Sequence, residues 1–496
     1  VLHTLTSYDP DQILGVARDD PRLLQDFETN DVARCPPFTK RYSDDLPRTP
    51  LPRDLPVVAE PALAVLAGRA RPAAAPLDLA GLSRILHLSA GVVRKMRLGS
   101  GTQLLRAAGS AGGRFPLELY VAVPGPARPT AAHDGPADVP PGVHWYDPVA
   151  HALVRTGPPP RPAGPTQEAA TVIVTGVPWR TAWRYRERGF RHVYWDAGTV
   201  LSQLLALADS AGLAPRLYTR FPDADVSALV AADGVHEWPV ALVALGAGLP
   251  AIDPAGPAAT GEIDPAPLEF PLVTAAQRAG DMNRLAAPWD PGAPVRVPSS
   301  QSPTLDEVIA RRGSQRRMNP DRGLPPETLR TCMTLALRGI DIDHWVAVHN
   351  VTGLAPGVYR WPDLTAPVRS AAEDQMRAEL YRICLEQTLG RDAAFVVIAT
   401  TDLSRRSSRG YREAQLAAGI AEGRLHLAAY ALGAGATGMT FMDSEVPALL
   451  GRPPSRSQAE PTHALLFTCA GVPANSSKPA GPPGNPTEIR KVSPRE

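Results

Sequence analysis

Four short stretches of this 496-residue chain carry residue types that could do chemistry. Arg184-Tyr185 sets a cation beside a phenol. The arginine stays protonated at working pH and makes a poor general base, so Tyr185 is the better acid or base of the two. Arg184 could orient a carboxylate or amide, or pull the Tyr185 pKa down by its charge. His192 and Asp196 follow at i and i+4, which on a helix puts them on one face, and a histidine there can shuttle protons. Beside Tyr194 and Trp195, a structural histidine is the simpler reading. Ser110-Ala111-Gly112-Gly113 is a run of small residues whose backbone N–H groups can approach a ligand closely. Arg312 and Arg316 flank Ser314 in a basic segment that, taken alone, reads as a solvated helix start.

Other chemistries lack their residues. There is no GxSxG, no GxxxxGK(S/T), and the glycines at 109–113 lack the strand–GxGxxG–helix context of a dinucleotide fold. Cys35, Cys332, Cys384 and Cys469 lie far apart with no metal-ligand spacing, and they read as free thiols in a reducing compartment. The net charge is +1 with scattered arginines, which argues against nucleic acid or membrane as partner. No run of 18 apolar residues and no charged-then-apolar leader is present, so the expected location is the cytosol.

A repeat positions these residues. RGFRHVYWDAG at 188–198 matches RGYREAQLAAG at 409–419, and Gly212 meets Gly433 at the same offset. After a one-residue slip, Phe221-Pro-Asp223 faces Phe441-Met-Asp443, and each copy then runs through apolar residues to Gly246 or Gly471. Upstream, PGVHWYDP from Pro141 matches PGVYRWPD from Pro356, each after an alternating run (Leu117–Val123, Trp345–Val348) that predicts a strand. Five matches in one order make a duplication. With 44% hydrophobic and 20% charged residues, the length suits two globular units of about 200 residues plus linkers. The layout predicts an α+β class, with long helices clearest at Thr199–Ser210 and Gln415–Leu432. Fifty-five prolines concentrate in loops or linkers at about 124–141, 157–165 and 250–267. The expected boundaries are an N-terminal extension (1–60), domain 1 (61–250), a Pro-rich linker (251–300), domain 2 (301–475) and an arm (476–496) lying on the surface or across the other domain.

These features resemble the nitroreductase superfamily, and within it the SagB-type dehydrogenases that oxidise azoline rings in ribosomal peptide natural products. The resemblance rests on residues 37–56, 106–123, 141–148, 184–198, 309–318 and 431–451, and covers nearly the whole chain. It implies tandem nitroreductase-like domains packed as an intrachain pseudo-dimer, with FMN in the interface. By analogy Arg312 and Ser314 hold the flavin phosphate from the opening turn of a helix, and Arg316 the pyrimidine edge. The matching segment of copy one, Arg69-Ala70-Arg71-Pro72-Ala73, has lost the serine and the last arginine. Conversely Ser110, Ala111, Gly112 and Gly113 resemble the family's small-residue loop near the flavin, which copy two lacks. One FMN site per chain is therefore expected, built from both copies, with Thr437, Gly438 and Met439 on the flavin N5 side. The family's Lys-Tyr pair is Arg184-Tyr185 here, which puts the catalytic base in question.

The implied activity is FMN-dependent desaturation of a peptide-derived natural-product intermediate, azoline to azole, by hydride transfer to flavin N5. The substrate would be a peptide or small molecule, with other biosynthetic enzymes as partners. An NAD(P)H-dependent nitro or quinone reductase, and a flavin-poor scaffold in a biosynthetic complex, remain open beside it.

Overall fold

The computed structural model describes residues 1–10, 20–24, 26–98, 101–125, 139–162, 168–246, 248–297, 301–452 and 462–490. Parts of the N-terminal extension, of the proline-rich 124–141 and 157–165, of the linker and of the arm lie outside these.

Two antiparallel sheets repeat one strand order. In copy one, Gly142–Asp147, Leu117–Val123, Glu168–Gly176, Trp238–Leu245 and Arg216–Tyr218 lie side by side. In copy two the same places are taken by Gly357–Arg360, Asp343–Val348, Phe395–Thr401, His463–Gly471 and Gly435–Met439. Even the register repeats: Val123 pairs with Gly142 as Val348 pairs with Gly357. The α+β class and the tandem arrangement are thus seen directly.

A long helix covers each sheet, Gly189–Ser210 in copy one and Ser408–Ala431 in copy two. Both begin earlier than the apolar periodicity predicted, because the Arg-Gly-aromatic-Arg motif forms the first turn of each. Tertiary contacts decide this: the arginines of that turn are held by the opposite copy. Arg188 Nη1 and Arg191 Nη1 donate to the Asp443 carboxylate at 2.6 and 2.7 Å. Reciprocally, Arg409 Nη1 and Arg412 Nη1 donate to Asp223 at 2.8 and 3.1 Å. All six side chains are at most 7% exposed. Further along, the helices cross at Gly198 and Gly419. A Cβ on Gly198 would fall on the backbone of Gly419 and Ile420, and one on Gly419 would lie 2.5 Å from the Trp195 carbonyl oxygen. The copies also meet where their short opening helices begin: Ala62 N–H donates to Pro303 O and Leu305 N–H to Glu60 O, both at 3.0 Å.

Copy one alone inserts a hairpin, Val92–Leu98 with Gly101–Arg106, between its second helix (Leu79–Ala90) and its first sheet strand. Copy two passes from its helix Pro326–Ala336 to Asp343–Val348 without one. The C-terminal arm crosses from copy two and adds Thr487–Ile489 to that hairpin as a parallel strand.

These contacts predict two outcomes. Gly198→Val places methyl groups in backbone and should destabilise the whole chain by about 2–3 kcal/mol or more in denaturant unfolding. Asp443→Ala strands two buried guanidiniums and should cost about 3–5 kcal/mol. The paired arginines hold the Asp443 carboxyl below its ordinary value. Its contribution is therefore present above about pH 4 and lost as pH falls through the folded value. The gap between wild type and Asp443→Ala should accordingly close in acid; a constant gap would refute the assignment.

Candidate functional site

The structure gathers most of the predicted residues at one junction between the copies. Arg312 follows the helix Leu305–Arg311 of copy two and is buried. Its Nη2 donates to Ala107 O of copy one at 2.6 Å, and its Nη1 meets His426 Nδ1 at 3.3 Å. Nε has no partner, and among the described residues no carboxylate lies within ion-pair distance of this guanidinium. A buried cation without a counter-charge is costly, so the position is suited to receive an anion. Arg94, from the inserted hairpin, is a second such cation; burial, and then the charge of Arg312, lower its pKa to about 10. A Cβ on Gly109 would come 3.4 Å from Arg312 Nη1 and 3.7 Å from Ser314 Oγ. Ser314 and Arg316 are exposed, with no hydrogen bond or ion pair among the described residues.

One expectation fails here. The Arg-x-Ser-x-Arg segment is not the opening turn of a helix; it leaves the C-terminal end of one. Thr304 and Glu307 form a capping box that starts this helix seven residues earlier. Beyond it the chain is drawn out along the sheet, with Gln315 N–H donating to Ala436 O at 3.1 Å. Side chains, not a helix dipole, must supply the positive potential.

The small-residue loop faces this segment and is pinned from the central helix of copy one. Asp196 accepts Ser110 Oγ at 2.5 Å and Ala111 N–H at 3.0 Å, while Thr199 Oγ1 donates to Gly109 O at 2.9 Å. Gly112 has φ +59°, and a Cβ there would sit 2.9 Å from both the Tyr185 hydroxyl and Arg184 Cδ. Gly113, also at positive φ, instead backs onto Gln103 of the hairpin. Tyr185 stacks on His192 with centroids 4.0 Å apart. His192 is buried, its pKa held well down by burial and by Arg188 and Arg191, and neither ring nitrogen has a partner. It does share a face with Asp196. The expected lowering of the Tyr185 pKa does not result: burial pushes the phenol up to about 12, outweighing Arg184. Glu187 lies 3.7 Å from Arg186 Nε as an ion pair and accepts Leu24 N–H at 2.9 Å, while Arg188 and Arg191 pair with Asp443.

Of the three residues expected at the N5 side, Gly438 faces the central helix of copy two, where a Cβ would lie 2.2 Å from Glu422 Oε1. Met439 packs in the core on the far face of the sheet with Phe441 and Phe467, and strand alternation sends Thr437 the same way. Thr440 Oγ1 is buried without a partner.

No family model matches the sequence, and no curated protein matches it. Among solved structures, a protein from Anabaena variabilis provisionally described as a nitroreductase matches with TM-score 0.67 and 22% identity, over 95% of this chain and 98% of its own. The chain has the nitroreductase fold. Shorter matches include a Ralstonia eutropha protein similarly described (TM-score 0.31, 21% identity, 42% of this chain, 92% of that one). The E. coli microcin synthetase McbBCD complex with truncated pro-MccB17 bound also matches (TM-score 0.27, 18% identity, 34% of this chain, 64% of that one).

Within this doubled nitroreductase fold the mirror-related junction is filled by the chain itself. Arg69 stands where Arg312 does, after the matching short helix, but its Nε donates to Val295 O of the linker at 2.7 Å. Trp289 N–H donates to Leu217 O on the strand that mirrors 435–439, and Arg338 donates to Leu66 O and Gly292 O. The central helices follow the same asymmetry. His192, Asp196 and Thr199 serve the loop, and Glu422, His426 and Tyr430 serve the arginine segment, with Tyr430 donating to Gly313 O at 2.7 Å. Their counterparts at the constant offset are Glu413, Ala417 and Ile420, and Leu201, Leu205 and Asp209. Sequence reading missed Glu422, His426, Tyr430 and Arg94; comparing the copies position by position was the available signal for the first three.

Burial pushes the Asp196 carboxyl up to about 7, against its bonds from Ser110 and Ala111. A raised value means the folded chain favours the acid form, so Asp196 costs progressively more stability as pH rises from about 4 to about 7. Asp196→Asn should therefore gain on the wild type over that range, by on the order of a few kcal/mol. Denaturant unfolding across a pH series reads this, and a pH-independent difference would exclude it.

Proposed function

We propose that the chain is an FMN-dependent oxidoreductase with one cofactor per chain, held between the copies where Arg312, Ser314, Arg316 and the loop 110–113 converge. The observation that carries this is Arg312: a buried guanidinium with an unpartnered Nε and no ion-paired carboxylate among the described residues, with exposed Ser314 and Arg316 beside it. That donor set fits a phosphate monoester and an electron-rich ring edge. Gly112, at positive φ against Tyr185 and Arg184, leaves a shallow cradle that any side chain would fill. Bound FMN would supply two-electron, hydride-accepting chemistry.

The family resemblance favours oxidation of an azoline or similar unit in a peptide-derived substrate, with biosynthetic enzymes as partners. Arg184 lies exposed at the cleft and can bind a carboxylate or amide of such a substrate. Proton chemistry supports a second reading. Tyr185, raised to about 12, holds its proton at neutral pH, so it can donate one and cannot readily accept one. A reductase of nitro or quinone compounds needs a donor there, whereas desaturation needs an acceptor.

Purified chain should be yellow, or turn so with added FMN, and release one FMN per chain on denaturation. Arg312→Ala should weaken FMN binding by about 10–100-fold, the worth of a lost charge-assisted hydrogen bond. Two tightly bound FMN per chain, or a colourless protein that takes up none, would overturn the reading. NADPH-driven nitroarene reduction outpacing any peptide oxidation would decide for the reductase.

A further inference from the structure

The reciprocal bonds between the short opening helices, Ala62 N–H to Pro303 O and Leu305 N–H to Glu60 O, match Ala62 with Leu305 and Glu60 with Pro303. The same offset matches Ala67 with Ala310 and Arg69 with Arg312. Each helix end is crossed by a strap of chain from outside the repeat. At the mirror junction Val295 N–H of the linker donates to Ala67 O at 3.0 Å. At the Arg312 junction Ala480 N–H of the arm donates to Ala310 O at 2.7 Å. Linker and arm are thus equivalent straps.

An arginine ties each strap to the helix end beneath it. Arg338 follows the helix Pro326–Ala336 and donates Nε to Leu66 O and Nη1 to Gly292 O of the linker, at 3.1 and 3.0 Å. Arg94 follows the helix Leu79–Ala90 and donates Nη2 to Ala310 O and Nε to Lys478 O of the arm, at 2.6 and 3.0 Å. Its Nη1 makes no hydrogen bond among the described residues.

The scaffolds agree and the charges do not. At the mirror junction Arg69 is satisfied by Val295 O, and Asp209 and Asp290 bring opposite charge to Arg338. Here the charge acting on Arg94 is that of Arg312, and among the described residues neither arginine has a carboxylate within ion-pair distance. At the Asp209 position of the other central helix stands Tyr430, which donates to Gly313 O at 2.7 Å and stays neutral because burial raises its phenol. Glu422, the acid whose charge would reach Arg312, is pushed up to about 8, mainly by burial, and is protonated at neutral pH. Two neighbouring buried guanidiniums are left without a counter-ion, an arrangement that a carboxylate at position 430 would relieve. A Cβ on Gly109 would touch both Arg312 Nη1 and the exposed Ser314, so the charge lies one small residue from the surface.

We propose that Arg94 is a second binding residue of this junction, taking with Arg312 a doubly negative end group of the phosphate monoester class. Tyr430 is the specificity determinant: it leaves to the ligand the counter-charge that Asp209 supplies at the mirror junction. The arm is the positioning element, because Lys478 O fixes Arg94. This rests on the junction being an anion site, as in the proposed function, and not on the ligand being a flavin.

Tyr430→Asp in the full chain installs the charge pattern of the mirror junction. It should weaken FMN binding about 10-fold or more, the worth of a charge-assisted contact, and leave the binding of riboflavin, which has no phosphate, unchanged. It should also raise the melting temperature of the ligand-free chain, whereas a purely structural role would lower stability and affinity together. Tyr430→Phe, which removes only the bond to Gly313 O, should hold FMN affinity within a few-fold. Arg94→Gln should weaken FMN about 10-fold or more, again sparing riboflavin, with partial recovery in Arg94→Lys; this pair decides if Tyr430→Asp does not fold. Equal losses of FMN and riboflavin, or FMN affinity that survives both Tyr430→Asp and Arg94→Gln, overturn the charge site and leave the cofactor reading standing. In a chain that takes up no FMN, the probe is inorganic phosphate, read as a rise in melting temperature. A phosphate-dependent rise lost in Arg94→Gln then sinks the cofactor reading and supports the charge site; no rise overturns both.

Discussion

Everything in this molecule is hung on the crossing of two helices at a pair of glycines. Gly198 and Gly419 have no side chains to separate them, so the helices approach until backbone meets backbone. That closeness brings the arginine-bearing first turn of each helix over the aspartate of the other copy. Four guanidiniums and two carboxylates are buried together, an arrangement that holds only while both copies are in place. Each clamp is then finished from outside the repeat. Arg191 also donates to His3 O and Thr6 Oγ1 at the N terminus, and Arg412 to Asp281 in the linker. The N-terminal segment and the linker thus play equivalent parts, one on each side of the pseudo-axis.

A symmetric dimer of identical subunits must build two equal sites, because every residue appears twice in related places. A tandem chain is free of that rule, and here the freedom is used. The linker occupies one junction, where Trp289 N–H donates to Leu217 O, Val295 O accepts from Arg69 and Gly292 O accepts from Arg338. At the other junction the chain leaves an uncompensated Arg312 and a bare glycine loop. Four of the six polar residues that face this second junction, Asp196, Thr199, Glu422 and His426, have apolar counterparts in the other copy. Losses and retentions agree, from the phosphate segment to the helix faces, which is why they read as one specialised site and not as general decay of one copy.

The duplication was legible because a constant offset survives wherever geometry is strict: the arginine pair, the crossing glycines and the positive-φ glycines at 212 and 433. The helix starts were not. Arginine and glycine are poor evidence of a buried helical turn, and only the opposing aspartates make it one. Position 312 was legible in residue type but not in setting, since the helix that the capping box of Thr304 and Glu307 starts has ended where the motif begins. Thr437 and Met439 followed from a resemblance of sequence, while the alternation of the strand decides which side chains face the cleft. Buried acids such as Asp196 and Glu422 look like exposed helix positions until their apolar counterparts Ala417 and Leu201 are set beside them.

Arg184, where the sequence resemblance leads one to expect a lysine, then takes on a definite meaning. A lysine can be driven neutral by burial and act as a base, but a guanidinium cannot, and Arg184 lies exposed. Tyr185 beside it is fixed in its protonated form. The groups in this region that can change charge near neutrality are the carboxyls of Asp196 and Glu422, at about 7 and about 8. Both project from the central helices, and each holds one wall of the junction: the loop at Ser110 and the strand at Gly438. Any change of charge at Asp196 or Glu422 therefore acts on the two helices whose crossing joins the copies.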